Sequence, residues 1–272
     1  MPTRSPHTDL AEIRPRCRSS RGAYALVIAL TMLACGGDPT DLGGDGPTPE
    51  DFAILFVGNS LTYSNDLPTM LQGLFDLGGA GPLVVHVLAY PNYALSDHWA
   101  DGVAQSLMRN HPWDHVVLQQ GPSATEGRPS LLEYAGIFAT EIRKANAVPA
   151  LFMVWPSAQR AFDFDGVLDS YRTAAEQADG LFFPAGEAWR VAWDLDPDVA
   201  LYGPDGFHPS VYGTYVAALV MYEQLSGRDP RDLPARIPNG GSGIALDPAL
   251  AATLQEAAAE ANRRHARTVS GT

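Results

Sequence analysis

Ser60 stands in Gly58-Asn59-Ser60-Leu61-Thr62-Tyr63, directly after the apolar run Ala53-Ile54-Leu55-Phe56-Val57. Near the other end of the chain, Gly203-Pro204-Asp205-Gly206-Phe207-His208-Pro209-Ser210 sets a carboxylate and an imidazole three residues apart, just ahead of a helical pattern. A serine hydroxyl becomes a competent nucleophile when an imidazole takes its proton and a carboxylate holds that imidazole in the right tautomer. Ser60, His208 and Asp205 supply one group of each kind, and the chemistry they could do is acyl transfer through a covalent acyl-serine. Each block alone also reads as ordinary structure, the first as a Ser/Asn turn between strand and helix, the second as an Asp/Gly turn with a partly buried His. The combination of the two favours chemistry.

These residues need elements to bring them together. Short apolar runs rich in β-branched residues and bounded by Gly, Pro or Asp predict strands at 53–57, 83–88, 115–119, 149–154 and 180–183. Between and after them, helical patterns are expected near 67–77, 97–109, 130–146, 167–178, 209–226 and 248–266, with Pro209 and Pro248 at first helical positions and Asp247 as an N-cap. The segment 228–246 reads as a Pro/Gly-rich connector. Alternating strands and helices imply an α/β domain with a doubly wound parallel sheet, whose chemistry gathers at the carboxyl ends of the strands. Ser60 is offered at that edge, where Gly58 would let the backbone turn sharply.

With Gly58-Asn59-Ser60 after the first strand and Asp205-Gly206-Phe207-His208-Pro209 before a late helix, the chain resembles the SGNH hydrolase superfamily, also called GDSL-type esterases. The resemblance covers roughly residues 52–226. It is nearer still to the subgroup written Gly-Asn-Ser-x-Thr with a downstream Asn-x-Leu-Pro, matched by Asn65-Asp66-Leu67-Pro68. It implies a three-layer α/β/α sandwich on a five-stranded, flavodoxin-like parallel sheet. It also implies Ser60 as nucleophile, His208 as base and Asp205 as its orienting carboxylate.

In the family a Gly of the second block adds its N–H to that of the nucleophile in the oxyanion hole. Here the segment after strand two is Ala89-Tyr90-Pro91-Asn92-Tyr93-Ala94-Leu95, without Gly, and Asn92 is the substitute because Asn tolerates left-handed backbone. The third block, usually Gly-x-Asn-Asp, is represented by Gln119-Gln120-Gly121-Pro122-Ser123. Either Gln119 or Gln120 could replace the Asn amide donor, and strand pleat decides which.

Other polar residues read as structure. Ser96 or Asp97 caps a helix, His98 is structural rather than catalytic, and Asp163 and Asp165 are solvated loop residues. Trp155-Pro156 follows strand four and reads either as a pocket wall or as core. His86, His111 and His115 lack carboxylate or thiol partners at metal-ligand spacing, so no metal is expected, and the serine mechanism needs no cofactor. The chain has no Gly-x-Ser-x-Gly elbow, Gly-Lys-Ser/Thr phosphate loop, Gly-x-Gly-x-x-Gly or His-Glu-x-x-His.

Over 272 residues the formal net charge is −13, and the first 34 residues hold five Arg against Asp9 and Glu12, so the remainder is more acidic still. A nucleic-acid role is disfavoured, since the remainder has only Lys144 and scattered Arg and no basic stripe. Residues 14–21 carry four Arg, and the apolar run from Ala23 to Ala34 is too short to span a bilayer. It closes on Met32-Leu33-Ala34-Cys35-Gly36-Gly37, which resembles a bacterial lipobox, with Met32 where Leu is usual. The alternative is a short buried helix opening a cytosolic domain; the polar linker that follows favours export.

The expected organisation is therefore a signal peptide at 1–34, a linker at 35–50 and the folded domain at 51–272. Cys17 would leave with the signal, and Cys35 would be lipidated and anchor the protein to the membrane of the cell envelope. Three functions fit this reading. The first is an exported esterase removing small acyl groups, acetyl above all, from small esters or acylated glycans. The second is an O-acyltransferase that hands the acyl group to a glycan. The third is an inactive, lipid-anchored glycan-binding protein, motivated by the missing second-block Gly and the Gln-for-Asn change.

Overall fold

The run from Ala53 to Val57 is wholly buried in strand β1 (Phe52–Gly58), as expected of a parallel strand with helices over both faces and no solvent side for polar residues. The structure, a computed structural model, describes Leu42, residues 46–238 and residues 243–266. The expected signal peptide, Cys35 and the first part of the linker lie outside the described residues.

β1 pairs in parallel with β2 (Leu83–Ala89) on one side and β3 (His115–Leu118) on the other. β4 (Val148–Phe152) and β5 (Leu181–Phe183) extend the sheet to the order β2-β1-β3-β4-β5. In this flavodoxin-like order the direction of winding reverses between β1 and β3, which opens a crevice beyond their carboxyl ends. The first helices are α1 (Ser60–Tyr63) and α2 (Leu67–Leu77), then α3 (Leu95–Asp101), α4 (Val103–Asn110), α5 (Arg128–Lys144) and α6 (Phe164–Gln177). They are followed by α7 (Ala185–Leu195), α8 (Val211–Ser226) and α9 (Pro248–His265). Helices α2, α7, α8 and α9 pack as one group and α3, α5 and α6 as another. The architecture is the expected α/β sandwich.

Four local expectations change. The helix expected at 97–109 is two, because Gly102 adopts φ 76° between α3 and α4. Its start is earlier than Ser96, with Ala94 at the N-cap and Asp97 accepting the Ala94 N–H at 2.8 Å. Pro209 lies outside α8, in a bridge to Tyr202, while Ser210 caps the helix through the N–H groups of Tyr212 and Gly213. Helix α7 was not expected at all. Asp247 caps α9 as predicted, and α9 rests on α7 and α8 through Ala251, Leu254, Ala257, Ala258 and Ala261. The connector holds one short antiparallel pair, β6 (Arg236–Ile237) with β7 (Ile244–Ala245).

Candidate active site

Ser60 is the first residue of α1, immediately beyond β1 and at the point where the sheet changes direction. Asn59 caps the helix by accepting the Leu61 N–H at 3.1 Å, and its amide group donates to the Tyr93 carbonyl at 2.9 Å. The Ser60 hydroxyl lies 2.9 Å from His208 Nε2, and His208 Nδ1 lies 2.6 Å from Asp205 Oδ2. An ionised carboxylate only accepts, so Nδ1 carries the proton and Nε2 is left to accept from the serine. The carboxyl of Asp205 is held down to about 2, first by the His208 ring N–H and then by the backbone N–H of Phe207. It stays ionised at any working pH.

The loop carrying the Asp and His is anchored from several sides. Asp205 Oδ1 accepts from the N–H groups of Phe207 and His208 at 3.0 and 2.9 Å. Beneath it, buried Trp155 donates its indole N–H to the Phe207 carbonyl at 3.0 Å and stacks on Trp189 with ring centroids 3.7 Å apart. Trp155 is thus a core residue supporting the loop, not a pocket wall. From the nucleophile side, the Asn65 amide donates to the Pro209 carbonyl at 3.0 Å and to Thr214 Oγ1 at 2.8 Å. It reaches both from a left-handed backbone, φ 51°. The sequence motif contained Asn65, but nothing in it revealed this tie across the fold.

No family model matches the chain, and no curated protein does either. Solved structures do. One is a protein from Slackia heliotrinireducens assigned as an SGNH hydrolase, at 25% identity over 64% of this chain and 98% of that chain, TM-score 0.56. Another is a DUF4886 family protein from Bacteroides uniformis, at 18% identity over 78% of this chain and 95% of that chain, TM-score 0.62. The chain has the SGNH-hydrolase fold. A third similar structure is an acetyl xylan esterase, at 14% identity over 64% of this chain and 99% of that chain, TM-score 0.51. The Slackia protein, at 25% identity, supports a hydrolase, and the other two support the fold alone.

On the SGNH fold the second and third blocks should line the nucleophile's cleft. Ser60, Asn92, Tyr93, Gln120 and Phe207 do line one cleft of about 330 Å³. Larger cavities of about 400 and 430 Å³ lie by β5 and the end of α9, away from Ser60. Asn92 has φ 63°, the left-handed conformation expected of the residue standing in for Gly. The two glutamines depart from expectation. Gln119 is wholly buried, with Oε1 accepting from the Asn59 N–H (2.9 Å) and Thr62 Oγ1 (2.7 Å), while its amide group donates to Asn59 Oδ1 and the Gln120 carbonyl. It is the brace of the nucleophile turn and has no hydrogen left for an oxyanion.

Gln120 borders the cleft, yet its amide hydrogens go to Ser123 Oγ (2.9 Å) and the Gly127 carbonyl (3.2 Å), and its Oε1 accepts from Leu95 N–H (3.2 Å). It shapes the loop after β3, so neither glutamine presents the third donor that the sequence led us to expect. The Ser60 and Asn92 N–H groups remain as the candidate donors.

His98 is structural, as expected. Its Nε2–H donates to the Gly58 carbonyl at 2.7 Å, it packs against Tyr90 and Tyr93, and burial lowers its pKa so that it stays neutral. Asp163 is not solvated as expected, since it is largely covered and pairs with Arg160, whereas Asp165 is solvent-exposed as expected but lies in the first turn of α6, where it pairs with Arg190.

Proposed function

We propose that the protein is a serine ester hydrolase that removes small acyl groups, acetyl above all, from carbohydrate. The observation carrying this reading is the continuous relay from Ser60 through His208 to Asp205, at 2.9 and 2.6 Å. In the first half-reaction Ser60 Oγ attacks the ester carbonyl while His208 Nε2 takes its proton. The bond to the leaving alcohol then breaks, and His208 returns the proton to that oxygen. In the second half-reaction His208 takes a proton from water, the hydroxide attacks the acyl-serine, and Ser60 leaves with the proton as the acid is released.

Negative charge on the carbonyl oxygen is met by the N–H groups of Ser60 and Asn92, each such donor typically worth ~10²–10³ in rate. A relay with all three members in bonding distance favours the enzyme over a binding protein, which has no use for it. The modest cleft supports a short acyl group, and an acetyl xylan esterase among the similar structures supports a carbohydrate ester. We further propose that the domain is exported and held at a membrane through acylated Cys35, on the strength of the Arg-rich leader and lipobox-like run.

The direct test is labelling of the chain from Gly36 onward with a fluorophosphonate probe, alongside turnover of 4-nitrophenyl acetate. A single adduct mapped by mass spectrometry to Ser60, blocked by prior incubation with substrate, is the expected result. An unlabelled or randomly labelled protein without turnover would end the serine-enzyme reading.

Asn65 gives a separate check on positioning. Asn65→Gly keeps the left-handed backbone accessible and removes the amide that ties the Pro209 carbonyl and Thr214 Oγ1 to the nucleophile side. Measured at a temperature where the variant is still folded, a fall of about 10-fold or more in kcat/KM is expected from the displaced His208. Full activity in this variant would show that the tie does not position the base.

A further inference from the structure

The cleft at Ser60 does not end at Phe207. A second chamber of about 240 Å³ shares Pro122, Ser123, Gly127 and Phe207 with it and adds Pro156, Ser157, Arg160, Asp163 and Glu126. This wall is joined to the reacting loop by the Ala158 N–H, which donates to the Gly206 carbonyl at 2.8 Å. We propose that this chamber binds the alcohol portion of the ester, and that this portion is a neutral, polyhydroxylated sugar unit. The proposal rests on the esterase reading above and names where its substrate lies.

The direction follows from the proton. His208 must return it to the leaving oxygen, so the alcohol has to extend on the His208 side of the cleft. Phe207 is the chain neighbour of His208, their rings 5.2 Å apart, and it lines both spaces. The part of the cleft beside Asn92, Tyr93 and Ala94 is left for the acyl group.

The chemical class follows from the lining. Arg160 pairs with Asp163, whose side chain is only 13% exposed, and approaches Glu126 at 3.6 Å. Its Nη1 has no protein partner among the described residues. Guanidinium hydrogens beside carboxylate oxygens offer donors and acceptors side by side, which is what vicinal hydroxyls need. Two carboxylates against one guanidinium leave an excess of negative charge, which disfavours a phosphorylated or acidic alcohol. Beside Arg160, though not itself among the residues lining the chamber, stands Phe162, 79% exposed and the most solvent-exposed large apolar side chain of the described residues, its ring centroid 5.9 Å from the guanidinium carbon. A flat apolar face next to a polar fork suits the C–H face and the hydroxyl edge of a pyranose ring.

The test compares two acetyl esters with the same acyl group and different alcohols, 4-nitrophenyl acetate and an acetylated xylo-oligosaccharide. For wild type, Arg160→Ala and Phe162→Ala, the quantity read is the ratio of kcat/KM for the oligosaccharide to that for the aryl ester. The expected result is a fall of about 10-fold in that ratio for each variant, appearing mainly in KM for the oligosaccharide. An unchanged ratio would overturn the proposal while leaving the serine mechanism standing, and so would a wild type that cleaves the aryl ester but not the oligosaccharide. A wild type that cleaves neither and leaves Ser60 unlabelled would remove the esterase reading and this subsite with it.

Discussion

Ser60→Ala and His208→Ala are each expected to lower kcat/KM for 4-nitrophenyl acetate by about 10³-fold or more, and the double variant to be no slower than the slower single. The reason is that hydroxyl and imidazole act in one event. With the serine gone, the base has no proton to take; with the base gone, the hydroxyl keeps its proton at neutral pH. Removing both therefore repeats a loss already suffered, and what remains is the contribution of the N–H donors and of binding. Steady-state kinetics on the three variants, with thermal melting to verify folding, would measure this. Losses that multiply in the double variant would show that the two groups act independently and that the 2.9 Å contact is not a proton path.

Gly58→Ala is expected to cost about 2–3 kcal/mol of stability and roughly 10²-fold in kcat/KM. The cause is space. The φ of Gly58 is not among the positive ones, and any residue could take its torsions. A methyl there, however, would lie 2.3 Å from Thr62 Oγ1 and 2.6 Å from Gln119 Oε1, the two atoms that hydrogen-bond each other behind the nucleophile. Thr62 is 1% exposed and belongs to the short helix that begins with Ser60, so relieving the clash moves the nucleophile.

The closer contact disappears in Gly58→Ala/Thr62→Ala, which should be less destabilised than the sum of its single changes. Urea denaturation and kcat/KM on the four proteins measure both effects. A Gly58→Ala protein as stable and active as wild type would refute the packing account.

The meeting of Ser60, His208 and Asp205 was legible in the sequence because two of the three residues form a local unit. Asp205 and His208 are three residues apart and Ser60 follows a strand that is apolar throughout, so one long-range meeting had to be inferred. The left-handed backbone of Asn92 was legible for a local reason as well, since its side chain tolerates the conformation a Gly would otherwise supply. The glutamines were not, because the direction of an amide is set by what faces it. Asn59 and Thr62 capture Gln119, and Ser123 and Gly127 capture Gln120; no spacing rule encodes those captures.

Gly58 was read as a residue freeing a turn, and the structure gives it a steric role in its place. Helix α7 escaped for a different reason. Its period is present, with Glu187, Arg190 and Asp194 at three- and four-residue steps beside buried Ala185, Ala188, Trp189 and Ala192, but only Pro184 separates it from β5 and no side chain caps it, so no turn or cap signal marks its start. The Gly102 break was equally hidden, since a single left-handed residue leaves the apolar pattern on either side intact.

The stack of Trp155 on Trp189 has a consequence for observing the molecule. Two indoles at 3.7 Å and an interplanar angle of 11° share their electronic excitation, and one of them donates its N–H to the carbonyl next to His208. The loop that carries the base is therefore wired to a pair of coupled chromophores. Occupation of the cleft that shifts Phe207 will register in the near-ultraviolet circular dichroism and in the indole emission, with no label attached and no turnover required.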